Sequence, residues 1–230
     1  MTTPFCGQLS GEYHLHTYLP PHFAVTDPET LHQLIRAHPL GALITHGEGG
    51  LDANHLPFEF DAGAGVHGVL RAHVARNNPL WQEVKDGDEV LVIFKAADGY
   101  ISPSWYPGKQ EHHKLVPTWN YSVVHAHGRI QIRDDARFVR RLLANLTRHH
   151  EAGETTPWKM ADAPRDYLEA MVQAVVGIEI EITGLVGKFK LGQNKEAADR
   201  LGAANALQER GQSALAEAML TPPSSLPWRG

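Results

Sequence analysis

Residues 177–188 read GIEIEITGLVGK, and their alternation decides the fold. Ile178, Ile180 and Ile182 fall on one side, with Glu179, Glu181 and Thr183 on the other. A period of two makes a strand with one dry and one wet face, the pattern of an antiparallel sheet. Upstream of it lie two helical segments. PRDYLEAMVQAV (164–175) opens on Pro164 near its first turn, and DDARFVRRLLANLTRHHE (134–151) is amphipathic, with Phe138, Leu142, Leu143 and Leu146 predicted inward. Before these, the chain is mostly strand. VPTWNYSVVHAHGRIQI (116–132) is a long β-branched arm, and DEVLVIFKA (88–96) is the most apolar strand. YISPSW (100–105) is expected to continue the sheet after a turn at Asp98-Gly99.

The N-terminal half follows the same logic. LGALITH, GEGG and LDANHLPFEF (40–60) read as strand, tight turn, strand, and VHGVLRAH (66–73) as a third strand. VARNNPLWQEV (74–84) reads as a short helix. In TDPETLHQLIRAHPLG (26–41), Asp27 is an N-cap, Pro28 the first helical residue, and Leu31, Leu34 and Ile35 the apolar face. NKEAADRLGAANALQERG and QSALAEAML (194–220) are helical by composition, and the tail TPPSSLPWRG is expected to be irregular. Strands come first, helices intervene late, and one strand returns after two of them. The pattern is α+β: an antiparallel barrel with peripheral helices.

Composition narrows the function classes. The 230 residues are 42% hydrophobic, enough for a sizeable core. No apolar run approaches the roughly 18 residues of a membrane span. The N-terminus lacks a basic segment followed by an apolar block, and the single cysteine, Cys6, excludes a disulfide framework, so a cytoplasmic location is expected. A net charge of −5 does not advertise a nucleic-acid partner. Within residues 194–220, Lys195, Arg200 and Arg210 face Glu196, Asp199, Glu209 and Glu217, an acidic balance that makes direct DNA binding doubtful. Among the 15 histidines, His14/His16 and His125/His127 are spaced to share a strand face. Such a pair suits a metal only with a third ligand, and the simpler reading is a half-exposed polar face, so no metal is expected. Nucleophile elbows and nucleotide loops are absent.

One stretch is unlike a core strand. Gly99–Tyr121, GYISPSWYPGKQEHHKLVPTWNY, concentrates aromatic faces, hydroxyls, an amide and a lysine. Ser102, Ser104, Trp105, Tyr106, Lys109, Thr118, Trp119 and Asn120 are the set a flat ligand with a phosphate tail requires. RAHVARNNP adds Arg71, His73 and Arg76 at a strand-to-helix junction, where backbone N–H groups are free. Core aromatics with turn prolines are the competing reading.

Taken together, ANHLPF, HVARNNPLW, YISPSWYPGK, VPTWNYSVVHAHG, LTRHHE and AVVGIEIEITGLVGKFKLGQN, in this order, resemble the PaiB family of FMN-binding negative transcriptional regulators. The resemblance runs from about Tyr18 to about Leu207. It implies an FMN-binding split β-barrel related to pyridoxamine-phosphate oxidases, with FMN near the interface of a homodimer. The domain would cover 18–207, leaving a C-terminal helix and irregular tail over 208–230. The implied cofactor-binding residues are Asn54, His55, His73, Arg76, Asn77, Ser102, Trp105, Lys109, Thr118, Trp119, Asn120, Lys188, Gln193 and Asn194; no catalytic residue is assigned. Two departures from the family pattern stand out. Phe94-Lys95-Ala96-Ala97 replaces Phe-x-Gly-Pro, and Lys190-Leu191-Gly192-Gln193-Asn194 has glycine where the family has serine. The resemblance implies a flavin-binding regulator of transcription; an FMN-dependent oxidoreductase or haem-handling enzyme on the same barrel is the alternative.

Overall fold

The computed structural model describes residues 17–109 and 113–221. In chain order its elements are β1 (Ala24–Val25), α1 (Pro28–Ala37), β2 (Leu40–Gly47), β3 (Gly50–Pro57), β4 (Glu59–Asp61), β5 (Val69–Ala75) and α2 (Leu80–Glu83). There follow β6 (Glu89–Ile101), β7 (Thr118–Arg133), α3 (Ala136–His150), α4 (Arg165–Gln173), β8 (Val175–Lys190), α5 (Ala197–Glu209) and α6 (Ser213–Leu220). His14, His16, His112 and the tail from residue 222 lie outside the described residues.

All the pairings are antiparallel, in the order β3-β2-β6-β7-β8-β5-β4, with β1 added on β8. Only Phe58 separates β3 from β4, so the two are arms of one bent strand. One arm pairs with β2 and the other with β5, which rolls the sheet shut. Toward its end β3 runs close to β5 without pairing, and there the barrel is split. Ile178, Ile180 and Ile182 point into the barrel beside Leu43, Leu70 and Phe94, as the alternation predicts. Glu179 and Glu181 stay on the outer face.

α1 has its predicted cap. Asp27 accepts from the Thr30 backbone N–H at 2.9 Å, and Leu31, Leu34 and Ile35 are buried. α3 and α4 cover the outer side of β5 and β8, while α5 and α6 pack near the far end of β6. Leu215, Ala216 and Met219 of α6 share the barrel's core cluster.

Three local expectations differ from the structure. β6 does not turn at Asp98-Gly99; it continues through a bulge between Lys95 and Asp98, which an ion pair of 2.7 Å spans. The helix expected over 74–84 is limited to α2, because Asn77, Asn78 and Pro79 form a turn first. Asn78 precedes a proline, which disfavours helical backbone, and its Oδ1 accepts from the Leu80 N–H instead. In α3 the buried face is Val139, Leu142 and Leu146, with Phe138 only half-buried.

Candidate functional site

The split of the barrel gathers the first group of predicted residues. Asn78 Nδ2 donates to Asn54 Oδ1 at 2.8 Å, linking the turn after β5 to β3 across the gap. Asn54 in turn donates to Asp52 at 2.8 Å. Asn77 is exposed beside them, and its side chain has no partner among the described residues. His55 lies on the outer face, opposite Ala42. His73 stands opposite Gly177 on the outer side of β5; its Nδ1 is buried without a partner, and burial pushes its pKa down. That ring is neutral at neutral pH, with one nitrogen uncommitted.

Arg76 is differently employed. Its guanidinium donates to both Asp134 oxygens at 2.9 and 2.6 Å, to Gln173 O at 2.6 Å and to Val175 O at 3.2 Å. It also lies over the Trp81 ring, whose Nε1 donates back to Arg76 O at 2.9 Å. The Asp134 hydrogen bonds hold its pKa above the ordinary value, and Asp134 is correspondingly lowered. Arg76 thus fastens the Asn77-Asn78 turn to the segments before α3 and β8.

The second group collects where β6, β7 and β8 meet α5 and α6. Trp119 pairs with Tyr100, whose ring meets Trp119 and Trp105 edge-on at 6.3 and 6.4 Å. Trp119 Nε1 donates to Asp98 at 2.7 Å. Ser102 Oγ caps a short 3-10 turn, accepting from Ser104 N, and Trp105 lies under Arg210 at 4.6 Å. Tyr106 is buried, and Gly108 N donates to the buried Asp199 at 2.8 Å. Half of the YISPSWYPGK motif therefore docks the loop on α5.

Lys190 Nζ donates to Thr118 Oγ1 at 2.5 Å. Lys188 Nζ donates to Tyr18 O at 2.9 Å, above the rings of Tyr18 and Tyr121. Neither lysine has an anionic partner among the described residues. Asn120 is buried against Met219 Sδ at 3.4 Å, and Gln193 closes its own turn through Phe189 O and Leu191 N. Gly192, in that turn, has φ +83°, a backbone region that favours glycine. Lys109 and Asn194 have no side-chain partner among the described residues.

These two groups stand apart. The register carries Asn54 through Leu43 and Val92 to Ala126, seven residues along β7 from Trp119, or roughly 23 Å of strand. Between them the outer face carries Ile44, Leu91, Ile93 and Val123, all half-buried, together with His125 and His127. Burial lowers both histidines' pKa values, and His127 Nε2 is buried without a partner. Among the described residues no cluster of side chains could hold a metal.

A family model described as "Putative FMN-binding domain" matches residues 17–184. The chain belongs to this PaiB-type FMN-binding family. It is 29% identical to the protease synthase and sporulation protein PAI 2 of Bacillus subtilis, over 83% of this chain and 89% of that one. An uncharacterized protein of Emericella nidulans, AN0679, is 34% identical over 80% of this chain and 87% of its own length. Two solved structures share the fold. The FAD and heme binding protein of Mycobacterium smegmatis has TM-score 0.55 at 18% identity, covering 79% of this chain and 80% of that chain. The flavocytochrome Anf3 of Azotobacter vinelandii has TM-score 0.52 at 16% identity, covering 74% and 70%. FMN is the family's cofactor, and the donor set suits it. A flavin needs aromatic faces, amides for its polar edge and cations for its phosphate. The two groups supply Trp119 and Tyr100, uncommitted His73 and Asn77, and two lysines without anionic partners.

Sequence reasoning missed Asn78 as the residue that bridges the split. The Asn-Pro pair at a strand-to-helix junction was its only signal. His125 and His127 were visible as a pair, but their half-buried environment depends on β2 and β6 and has no local signature.

Proposed function

We propose that this chain acts in the cytoplasm as a homodimeric FMN protein, each flavin held between the split of one copy and the aromatic–lysine group of the other. The observation that carries this reading is the separation of the two groups along the sheet, with a half-buried apolar face between them. A two-fold partner laid across β2, β6 and β7 would bring complementary groups together and cover the half-buried apolar face between them. In this arrangement His55, Asn77 and Asn54 of one copy, with Lys188, Thr118 and Trp119 of the other, hold the flavin. Bound FMN would supply reversible electron transfer; the chain's part is to orient it and exclude water.

For regulation, we infer that the chain lowers transcription as a flavin-responsive partner of other components rather than by gripping DNA itself. Of the cations in residues 194–220, Arg200 has its Nε buried and Arg210 lies on Trp105 while donating to Ala206 O. The acidic side chains there are left in the majority. The test is a titration of the FMN-loaded protein with its own upstream DNA at two salt concentrations. Negligible binding is expected; tight, sequence-selective binding that falls steeply with salt would establish a direct repressor instead.

A further inference from the structure

A cavity of about 410 Å³ opens on the outside of the barrel, lined by Arg133, Asp135, Arg137, Phe138, Arg141 and Glu179. It belongs to neither group described above. Its charges are unevenly satisfied. Glu179 is consumed by two arginines: Arg133 reaches it at 2.6 Å and Arg71 at 2.8 Å. Asp135 is consumed as the cap of α3, accepting from Phe138 N at 2.7 Å. Arg137 is exposed with no partner among the described residues, and Arg141 touches only the Phe138 ring, at 5.7 Å.

Arg137 and Arg141 are one turn apart on the same side of α3, so two unneutralised guanidinium groups border one opening. Arg137 lies in the first turn of the helix, where the backbone dipole also favours an anion. The apolar wall is equally specific. A Cβ on Gly177 would fall 2.6 Å from ring carbons of Phe138, so the ring rests directly on the β8 backbone. A flat wall beside two forked cations suits a flat body carrying a compact dianion.

We propose that this cavity binds a small phosphate monoester with a flat apolar body, at a site separate from the flavin. Arg137 and Arg141 clamp the phosphate, and the side of Phe138 that lines the cavity packs against the body. The probe is phenyl phosphate, titrated calorimetrically into the FMN-saturated full chain so that the flavin site is already filled. Saturable binding is expected, stronger than for inorganic phosphate. Arg137→Ala and Arg141→Ala should each weaken it about tenfold or more, the loss of a charge-assisted hydrogen bond. Both residues are outside the buried face of α3, so the flavin spectrum and melting temperature should not change. Arg148→Ala, on the same helix but away from the cavity, should bind as the parent does. Phe138→Leu should reduce the preference for phenyl phosphate over inorganic phosphate.

Any of the following results would overturn the proposal. The first is binding that survives the Arg137→Ala/Arg141→Ala double variant. The second is saturable binding only when FMN is absent, which would make the cavity part of the flavin site. The third is no saturable binding at all, or displacement of the probe by short duplex DNA in a salt-dependent manner, which would assign the arginines to nucleic acid.

Discussion

Replacing Glu179 by glutamine tests how the outer face of the barrel is held together. The Glu179 carboxylate sits on β8 between Arg71 of β5 and Arg133 of β7, at 2.8 and 2.6 Å, with its side chain 19% exposed. Arg71 is 17% exposed, and its remaining partner is Asp61 at 3.1 Å. Each charge-assisted hydrogen bond contributes about 1.5–3 kcal/mol when shielded, and partial exposure reduces that. Removing the charge while keeping the shape should therefore destabilise the fold by about 2 kcal/mol near neutral pH. The pH dependence supplies the control. Burial raises the carboxyl's pKa, but the hydrogen bonds from Arg133 and Arg71 outweigh it and hold the value below the ordinary glutamate range. The folded pKa lies below the unfolded one, so this stabilisation is complete above about 4.3 and is lost as pH falls through the folded value. Urea unfolding of the parent and Glu179→Gln, at one protein concentration and a series of pH values, should give a gap that closes in acid. A gap that stays constant from neutral pH down to strongly acidic pH would refute the role of the charge.

Three further expectations follow from individual contacts. Asp27→Ala should lower the urea midpoint by removing the cap of α1; no loss would mean the helix is held by its apolar face alone. Arg76→Ala and Asp134→Asn should both lower the melting temperature, because each breaks the tie that fastens the Asn77-Asn78 turn. A melting temperature unchanged in Asp134→Asn would separate Arg76 from that anchoring role. Quenching of tryptophan fluorescence should reveal tighter binding of FMN than of riboflavin, since the lysines and histidines offered to a phosphate are wasted on an alcohol; equal affinities would remove phosphate recognition.

What could be read from the sequence is what short-range chemistry encodes. Asp27 and Pro28 start α1 because a cap and a fixed φ act locally, and the Ile/Glu alternation of 178–182 sets the faces of β8 by itself. Closure of the barrel depends on where the bent β3–β4 strand finds β5, a pairing that no local pattern signals. The same limit applies to the tryptophan-rich segment. Its aromatic and hydroxyl content was legible, but Gly108 is held by Asp199 and Trp105 by Arg210, partners some ninety or more residues away. Arg76 likewise reads in sequence as an open cation, because nothing local signals Asp134 beside it. Helical periodicity predicts Phe138 in the core, whereas the structure sets its ring on Gly177 and in the lining of a cavity.

The central claim is that FMN is shared between two copies, and complementation between two defective variants tests it most directly. One variant carries His55→Ala and Asn77→Ala at the split; the other carries Lys188→Ala and Lys190→Ala at the far end of the sheet. Each alone should bind FMN at least tenfold more weakly than the parent. After unfolding and refolding an equimolar mixture, half of the dimers are mixed, and each mixed dimer contains one intact composite site. High-affinity FMN binding should then return in about a quarter of all sites. A mixture that binds no better than either variant alone, while still forming dimers, would contradict the shared site and return the flavin to a single chain.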